Sequence, residues 1–235
     1  MNNFLRGVFF ILAFLQITPV FSQIDRKSVV ARHNVILKSV DTLSSLTVGN
    51  GKFAYTVDVT GLQSFPEYYA KGVPLGTQSE WGWHSFPNPE NLKFSETLKP
   101  YDFNGKADRL YSVQINEPAR NKNAVSYFRE NPARLQLGNV GLELLKKDGS
   151  IAKPQDLEDI YQELNPWTGE IISNFSLEGN AVKVITIADA EKDIISVKIT
   201  SDLLKQKRIK VRFRFPYPSN QFTDVGTNYK KQFGT

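Results

Sequence analysis

The sequence predicts a mainly β protein, a large antiparallel β-sandwich with one or two short helices. This prediction rests on short segments in which apolar and polar residues alternate, on turn residues at regular intervals between them, and on the scarcity of helical spacing. Hydrophobic residues make up 40% of the 235 residues, which is enough for a core and excludes a disordered chain. At this length we expect one large domain, with two small domains as the alternative.

The N-terminus has the features of a secretory signal peptide. Arg6 supplies a positive charge, residues 8–15 form an apolar run too short to cross a bilayer, and small residues precede a cleavage point after Ser22. We therefore predict a signal peptide over residues 1–22, with an uncleaved anchor as the alternative, and a mature domain over residues 23–235. The protein is expected to be secreted or periplasmic, without membrane contact after cleavage.

The first strand signal follows a tight turn at Asn50-Gly51, where the pair supplies the positive φ values that such a turn needs. Alternation then predicts a strand that places Phe53, Tyr55, Val57 and Val59 on one face. A long loop rich in glycine and proline follows, and it contains the sequence Trp81-Gly82-Trp83-His84. Long aromatic loops in compact domains tend to be functional.

Strands dominate the rest of the chain. Residues 88–108 are expected to form a polar connector, residues 110–115 a strand, and residues 122–130 the one clear helix, which Asn131-Pro132 ends. The further predicted strands cover residues 134–145, 158–164, 170–177, 181–188, 194–200 and 208–215. Short strands separated by turn residues at this spacing indicate an antiparallel sandwich.

The aromatic loop is the strongest candidate for a binding site. The rings of Trp81 and Trp83 could stack on the flat C–H faces of sugars, with His84 and Gln78 bonding to the hydroxyls. The alternative is that both tryptophans anchor the loop to the core, because tryptophan buries a large area in any fold. The Asn50-Gly51 turn likewise has a purely structural explanation as a hairpin device.

The last predicted strand has one basic face, formed by Arg208, Lys210, Arg212 and Arg214. One interpretation is a surface for nucleic acid or an acidic polysaccharide. The other is a solvated face whose charges discourage edge pairing. We favour the second and expect no nucleic-acid partner, because aromatic residues do not alternate with the charges on that face.

Composition also limits the chemistry. The chain has no cysteine and two histidines, which excludes a disulfide framework and a thiol nucleophile and leads us to expect no metal and no cofactor. Four acids, Asp58, Glu67, Glu80 and Asp102, lie in or near the loop. Their spacing marks no two of them as the pair that glycoside hydrolysis needs, so we assign no catalytic residue.

Seven motifs spread over the mature chain form one joint pattern. They are Arg32-His33-Asn34, Leu46 to Gly51, Asp58 to Gln63, Gly76 to His84, Asn131 to Gly138, Leu164 to Gly169, and Phe215 to Pro218. Together they resemble the N-terminal domain of a glycoside hydrolase of the six-hairpin, (α/α)6-barrel type, closest to the family 65-like group. The resemblance implies a supersandwich of the galactose-mutarotase-like kind, which in that family precedes a helical barrel that contains the catalytic acids.

The resemblance also implies a function. A barrel of twelve helices needs roughly 180 residues or more, so we expect the catalytic domain to lie outside this chain. The expected role is that of a non-catalytic domain of a secreted glycoside hydrolase or phosphorylase, with carbohydrate and its own downstream catalytic domain as partners. The residues expected near the sugar are Asn50, Gly51, Gln63, Gln78, Trp81, Trp83 and His84. The alternatives are a free-standing carbohydrate-binding module and an exported structural sandwich that binds a protein.

Overall fold

The chain folds into two facing layers of antiparallel β-sheet, with a separate lobe inserted between two short strands. The structure, a computed structural model, describes residues 24–217 and Tyr229. The predicted signal peptide lies outside these residues. The described strands form antiparallel sheets, which confirms the mainly β, sandwich-like fold that the alternation predicted.

The described residues contain fourteen strands and three α-helices. The strands are β1 (Val35–Leu37), β2 (Leu46–Gly49), β3 (Phe53–Val57), β4 (Thr77–Ser79), β5 (Trp83–His84), β6 (Leu98–Phe103), β7 (Lys106–Ser112), β8 (Ala133–Arg134), β9 (Asn139–Leu144), β10 (Leu157–Asn165), β11 (Glu170–Leu177), β12 (Asn180–Ala188), β13 (Ile195–Thr200) and β14 (Ile209–Arg214). The helices are α1 (Arg26–Ala31), α2 (Pro66–Tyr69) and α3 (Ala119–Glu130), and short 3-10 helices cover Phe94–Thr97 and Pro154–Asp156. None of these helices has the length and apolar character that a membrane crossing needs.

The larger layer is a five-stranded sheet in the order β1-β10-β11-β12-β13. Every neighbouring pair in it is antiparallel, and β10 to β13 follow one another through short turns. The side chains on its inner face, such as Ile171 and Val184, are fully buried. The strands predicted here agree with the structure to within one residue at each end, because burial of one face makes the alternation strong.

The second layer combines a three-stranded sheet, β2-β3-β4, with the pair β9-β14. The segment after β3 joins them, because the backbone N–H of Gln63 donates to the Val140 carbonyl at 2.9 Å. The same segment accepts a hydrogen bond from the Leu142 N–H through the Ser64 hydroxyl, at 2.9 Å. Gly141 permits this approach, since a Cβ on it would lie 2.1 Å from the Gln63 carbonyl oxygen.

The core lies between the two layers in two clusters. One is built around β9, β11 and β12 and the other around β2 and β3, and Val140 packs against both. The members of the second cluster are Leu46, Val48, Phe53, Tyr55, Val57 and Ile171. The apolar face that the alternation predicted for β3 is therefore the face that is buried in the core, which confirms the prediction.

A buried carboxylate organises the turn that leaves β3. Asp58 accepts hydrogen bonds from the backbone N–H groups of Thr60, Ser64 and Phe65 and from the Thr60 hydroxyl, over 2.6 to 2.9 Å. Burial raises the pKa of Asp58 to about 6, and the four hydrogen bonds oppose the rise. The Asp58 side chain is thus committed to the fold rather than to a surface site.

Residues 85–132 form the inserted lobe, which leaves the sandwich after β5 and returns at β8. These two strands pair with each other, so the lobe is closed at its base by the register Trp83 to Arg134 and His84 to Ala133. Inside it, α3 packs on a 3-10 helix through Phe94 and Phe128, whose ring centroids are 5.6 Å apart. The hairpin β6-β7 projects from the same lobe.

Most errors of the sequence predictions fall in this lobe and beside it. Residues 88–108 contain β6 instead of a polar connector, and β7 begins at Lys106 and ends at Ser112 instead of covering residues 110–115. The helix begins at Ala119, three residues before the predicted start, and residues 134–145 are divided between β8 and β9. Alternation reports the burial of one face, and it is weak in this hairpin because most of the side chains whose burial is described are exposed on both faces.

Candidate functional site

Three segments that are distant in sequence meet at the carboxylate of Asp193, in the turn between β12 and β13. The indole Nε1–H of Trp81 donates to Asp193 Oδ2 at 2.8 Å, and the Ser79 hydroxyl donates to the same oxygen. Asn50 completes the contact by donating from Nδ2 to the Lys192 carbonyl at 3.2 Å. We call this group of Asn50, Ser79, Trp81 and Asp193 the Asp193 junction.

The Asn50-Gly51 turn contributes to the junction through its own geometry. Asn50 Oδ1 accepts from the backbone N–H groups of Lys52 and Phe53, at 3.0 and 2.8 Å. The predicted turn is confirmed, but only Gly51, with a φ of +90°, supplies a positive φ, and Asn50 does not. Both ends of the Asn50 amide are engaged within the protein, which fixes the turn against the opposite layer.

Trp81 and Trp83 are exposed side chains, and the alternative that they anchor the loop to the core is wrong. Their exposed fractions are 65% and 53%. The residue between them, Gly82, is buried against Leu137, since a Cβ on it would lie 2.6 Å from Leu137 Cδ2. The chain is therefore held at Gly82 while the two flanking rings face outward.

His84 and Gln78 also lie at the surface, on either side of the tryptophans in sequence. The His84 ring meets Phe86 edge to face, with centroids 4.8 Å apart and an angle of 78° between the planes. Gln78 lies on β4 opposite Ala54. The structure thus exposes four of the residues that the sequence singled out, Gln78, Trp81, Trp83 and His84, within one short stretch.

Gln63 differs from them because its side chain is completely buried. Its Nε2 donates to the Thr56 carbonyl at 3.0 Å and to the Thr77 hydroxyl at 3.2 Å. Its Oε1 accepts from Asn139 Nδ2 at 3.2 Å and from the Val140 N–H at 3.1 Å. In this chain the Gln63 amide therefore joins three segments of the second layer and supports the site from inside.

The electrostatics of the junction favour the ionised carboxylate. The hydrogen bond from Ser79 is the main cause that lowers the pKa of Asp193, and those from Trp81 and Asn50 act in the same direction. Beside the junction, Lys52 and Glu80 form an exposed ion pair at 3.3 Å. The site therefore consists of charged and hydrogen-bonded groups that hold an exposed aromatic ring in place.

The acids considered for catalysis are engaged separately. Glu67 pairs with Arg214 at 2.6 Å, Glu80 pairs with Lys52, and Asp102 accepts from the Gly105 N–H at 2.9 Å. Within the described part of the chain, no three histidine, aspartate or glutamate side chains are grouped as a metal site. The acids considered for catalysis therefore each have a separate partner, and the described residues do not bring them together as a pair.

The basic face of β14 is also engaged with the protein. Arg208 pairs with Glu178, Lys210 approaches Glu143 at 3.5 Å, and Arg212 donates to the Ser64 carbonyl at 3.0 Å. The solvated face that we favoured is therefore correct only in part: the Lys210 side chain is 61% exposed, whereas those of Arg208 and Arg214 are 11% and 21% exposed.

Two important residues escaped the sequence analysis. Asp193 lies between the predicted strands 181–188 and 194–200, 112 residues from Trp81 along the chain. Arg134 pairs with Trp83 of β5 and donates to the Glu80 carbonyl oxygen. It appeared in the sequence analysis only within the motif Asn131 to Gly138, and nothing in the sequence marked it as a site residue. No local pattern connects either residue to the tryptophans.

Comparison with models of known protein families gives no match for this chain, and comparison with curated proteins gives none either. The functional assignment therefore rests on the geometry of the exposed tryptophans and their support.

Proposed function

We propose that this chain is a non-catalytic β-sandwich domain of a secreted glycoside hydrolase and that its exposed tryptophans contact carbohydrate. One observation carries the proposal. Trp81 is 65% exposed, yet its indole nitrogen is fixed by the Asp193 carboxylate. A ring that is open to solvent and held in one orientation is prepared for a flat ligand surface, because little conformational freedom remains to be lost on binding.

The surroundings of the ring fit a sugar. Trp83 supplies a second half-exposed ring two residues away, and His84 and Gln78 supply hydrogen-bonding groups at the surface. Sugars combine C–H faces, which stack on aromatic rings, with hydroxyls that need polar partners. This mixture of groups supports carbohydrate over a purely apolar ligand.

A second surface supports the role of a domain within a larger enzyme. Val211 and Phe213 lie opposite Leu142 and Val140 in the β9-β14 pair, so they share the face of that pair that forms the core. Val211, Phe213 and Phe215 are nevertheless 49%, 64% and 73% exposed. An apolar row of this kind is typical of a surface that another domain covers, and the downstream catalytic domain is the occupant that we propose.

A free-standing carbohydrate-binding module is the second candidate. It is favoured by the fact that the Asp193 junction holds Trp81 with residues of this chain alone. The two candidates predict different roles for β14, because a free-standing module has no second domain that would cover the exposed apolar row.

The test uses the isolated chain with a panel of neutral disaccharides and oligosaccharides. We expect no turnover, and binding that Trp81→Ala and Trp83→Ala each weaken by about tenfold, which corresponds to the loss of one stacking contact. Trp167→Ala is the matched control, since Trp167 is 48% exposed in the turn between β10 and β11. Isothermal titration calorimetry measures the affinities.

Two results would contradict the proposal. Turnover by the isolated chain would refute the non-catalytic role. Equal effects of the Trp81, Trp83 and Trp167 substitutions would show that the predicted surface does not bind the sugar. Strong oligosaccharide binding together with a monomer whose Val211 and Phe213 tolerate replacement by serine would favour the free-standing module.

A further inference from the structure

The hairpin β6-β7 carries a surface that the proposed function does not use. The two strands pair in the register Lys99 to Tyr111 and Tyr101 to Arg109. Residues that face each other across an antiparallel pair lie on the same side of the sheet, so these four side chains share one face. We call it the hairpin face.

Cations and aromatic rings alternate on the hairpin face. Each tyrosine has a cation directly opposite it on the other strand, and each cation is flanked by a tyrosine two residues along its own strand. Tyr101 and Tyr111 are 47% and 51% exposed, and Lys99 and Arg109 are exposed as well. Among the described side chains, neither Lys99 nor Arg109 forms an ion pair.

This alternation separates the hairpin face from the basic face of β14. At β14, Arg208, Lys210 and Arg214 are paired with Glu178, Glu143 and Glu67, and the centroid of the Tyr229 ring already lies 4.2 Å from the Arg214 guanidinium carbon. On the hairpin face neither cation is paired with a described side chain, and each ring is next to one of the cations. Such a surface binds a ligand that has both flat faces and negative charges.

We propose that the hairpin face binds an anionic polysaccharide, whose carboxylate or sulfate groups pair with Lys99 and Arg109 while its sugar rings contact Tyr101 and Tyr111. The inference goes beyond the proposed function, because the Asp193 junction and its tryptophans lie outside this hairpin. It shares with that function only the expectation that the protein is exported.

The orientation of the rings favours a glycan over a nucleic acid. The centroids of Tyr101 and Tyr111 are 5.9 Å apart, and their planes meet at 87°. Single-stranded nucleic acids bind such platforms by stacking successive bases, which are nearly parallel to each other. Two perpendicular rings cannot both stack on parallel bases. Successive sugar units of a polysaccharide can be rotated relative to each other, so they can present differently oriented faces to the two rings.

The test measures the retardation of the full chain in gels that contain polygalacturonate, dextran sulfate or neutral dextran. We expect stronger retardation by the two polyanions than by neutral dextran. The variant Lys99→Gln/Arg109→Gln should weaken polyanion binding by about threefold to tenfold, with the difference shrinking as salt is added. Lys183→Gln/Lys198→Gln is the matched control, because it removes the same charge from exposed positions on the larger sheet. It should change binding by less than about twofold, because charges outside the hairpin face act on the polyanion only at long range, where salt screens them.

A second pair of variants tests the rings. Tyr101→Leu/Tyr111→Leu keeps apolar bulk on the hairpin but removes the aromatic faces, and we expect it to weaken binding as much at high salt as at low salt. Thermal unfolding of all variants checks that the lobe remains folded. The Lys99→Gln/Arg109→Gln variant should leave the binding of neutral oligosaccharides unchanged, so failure here and failure of the sugar site at the Asp193 junction are distinguishable.

Three outcomes would overturn the inference. Equal losses for the two charge variants would mean that net charge alone attracts the polyanion. Unchanged binding by the tyrosine variant would exclude ring contact. Retardation by single-stranded DNA that matches the polyanions and is lost in the same variants would show a nucleic-acid surface instead.

Discussion

Replacing the buried Gln63 with leucine tests the internal support of the site. Leucine removes every hydrogen bond of the Gln63 amide while it keeps a side chain of similar size. The Val140 N–H and the Asn139 amide then lose their acceptor, and Asn139 is 1% exposed. An unsatisfied buried group costs about 1–3 kcal/mol, so the two groups together predict a loss of about 2–6 kcal/mol.

This loss is a large fraction of the roughly 5–15 kcal/mol that stabilises a typical domain. Gln78→Leu is the matched control, because Gln78 is an exposed glutamine on the neighbouring strand β4, and surface changes usually alter stability by less than about 0.5 kcal/mol. Urea unfolding of both variants, followed by circular dichroism, gives the comparison. If Gln63→Leu and Gln78→Leu unfold at the same urea concentration, the hydrogen bonds of Gln63 do not stabilise the second layer and the reasoning fails.

Two further predictions concern the support of the site. Gly141→Ala should destabilise the sandwich by about 1–3 kcal/mol, because its Cβ would lie 2.1 Å from the Gln63 carbonyl oxygen; thermal unfolding should show no such effect for Gly76→Ala, whose Cβ would meet only the Gln136 Oε1 at 3.5 Å. Asp193→Asn should change the fluorescence of Trp81 and weaken sugar binding, because it alters the acceptor of the indole N–H. The pKa of Asp193 is lowered chiefly by the Ser79 hydroxyl, so the junction is complete above the ordinary carboxyl value of 3.8 and is lost as the pH falls through the lower folded value. Acid titration of tryptophan fluorescence should therefore show a transition that Asp193→Asn lacks; an identical titration in both proteins would exclude Asp193 as the residue that holds Trp81.

The sequence was sufficient to predict a strand where one face of that strand is buried. The inward side chains of β3 and of the five-stranded sheet alternate with outward ones, so the period of two is visible without any structure. The hairpin β6-β7 gave only part of such a signal, because the strand predicted over residues 110–115 shares only residues 110–112 with β7, and Pro100 breaks the apolar pattern of the segment that forms β6. Helix α1 has no buried residue, so it has no apolar stripe from which it could be predicted.

The same limit explains which site residues were found. The Asn50-Gly51 turn and the two tryptophans are recognisable from local chemistry. The Asp193 contact depends on the pairing of strands more than a hundred residues away, which local spacing does not encode. Gln63 is the reverse case, since a glutamine in a loop suggests an exposed group and only the fold shows that its amide is enclosed by three segments.

The hydrogen bond of Trp81 also limits the kind of partner that the ring can have. Burying an aromatic side chain removes roughly 150–250 Å² from water, worth about 4–6 kcal/mol at 25 cal/mol per Å², and most of this gain is absent for a side chain as exposed as Trp81. Folding of the described chain therefore gives little reason for a tryptophan at this position, whereas an external contact does. Because Asp193 already accepts the indole N–H, the contact available to a partner is the ring face itself. A partner that required the indole N–H as a donor would have to displace Asp193, and a sugar that stacks through its C–H face would not.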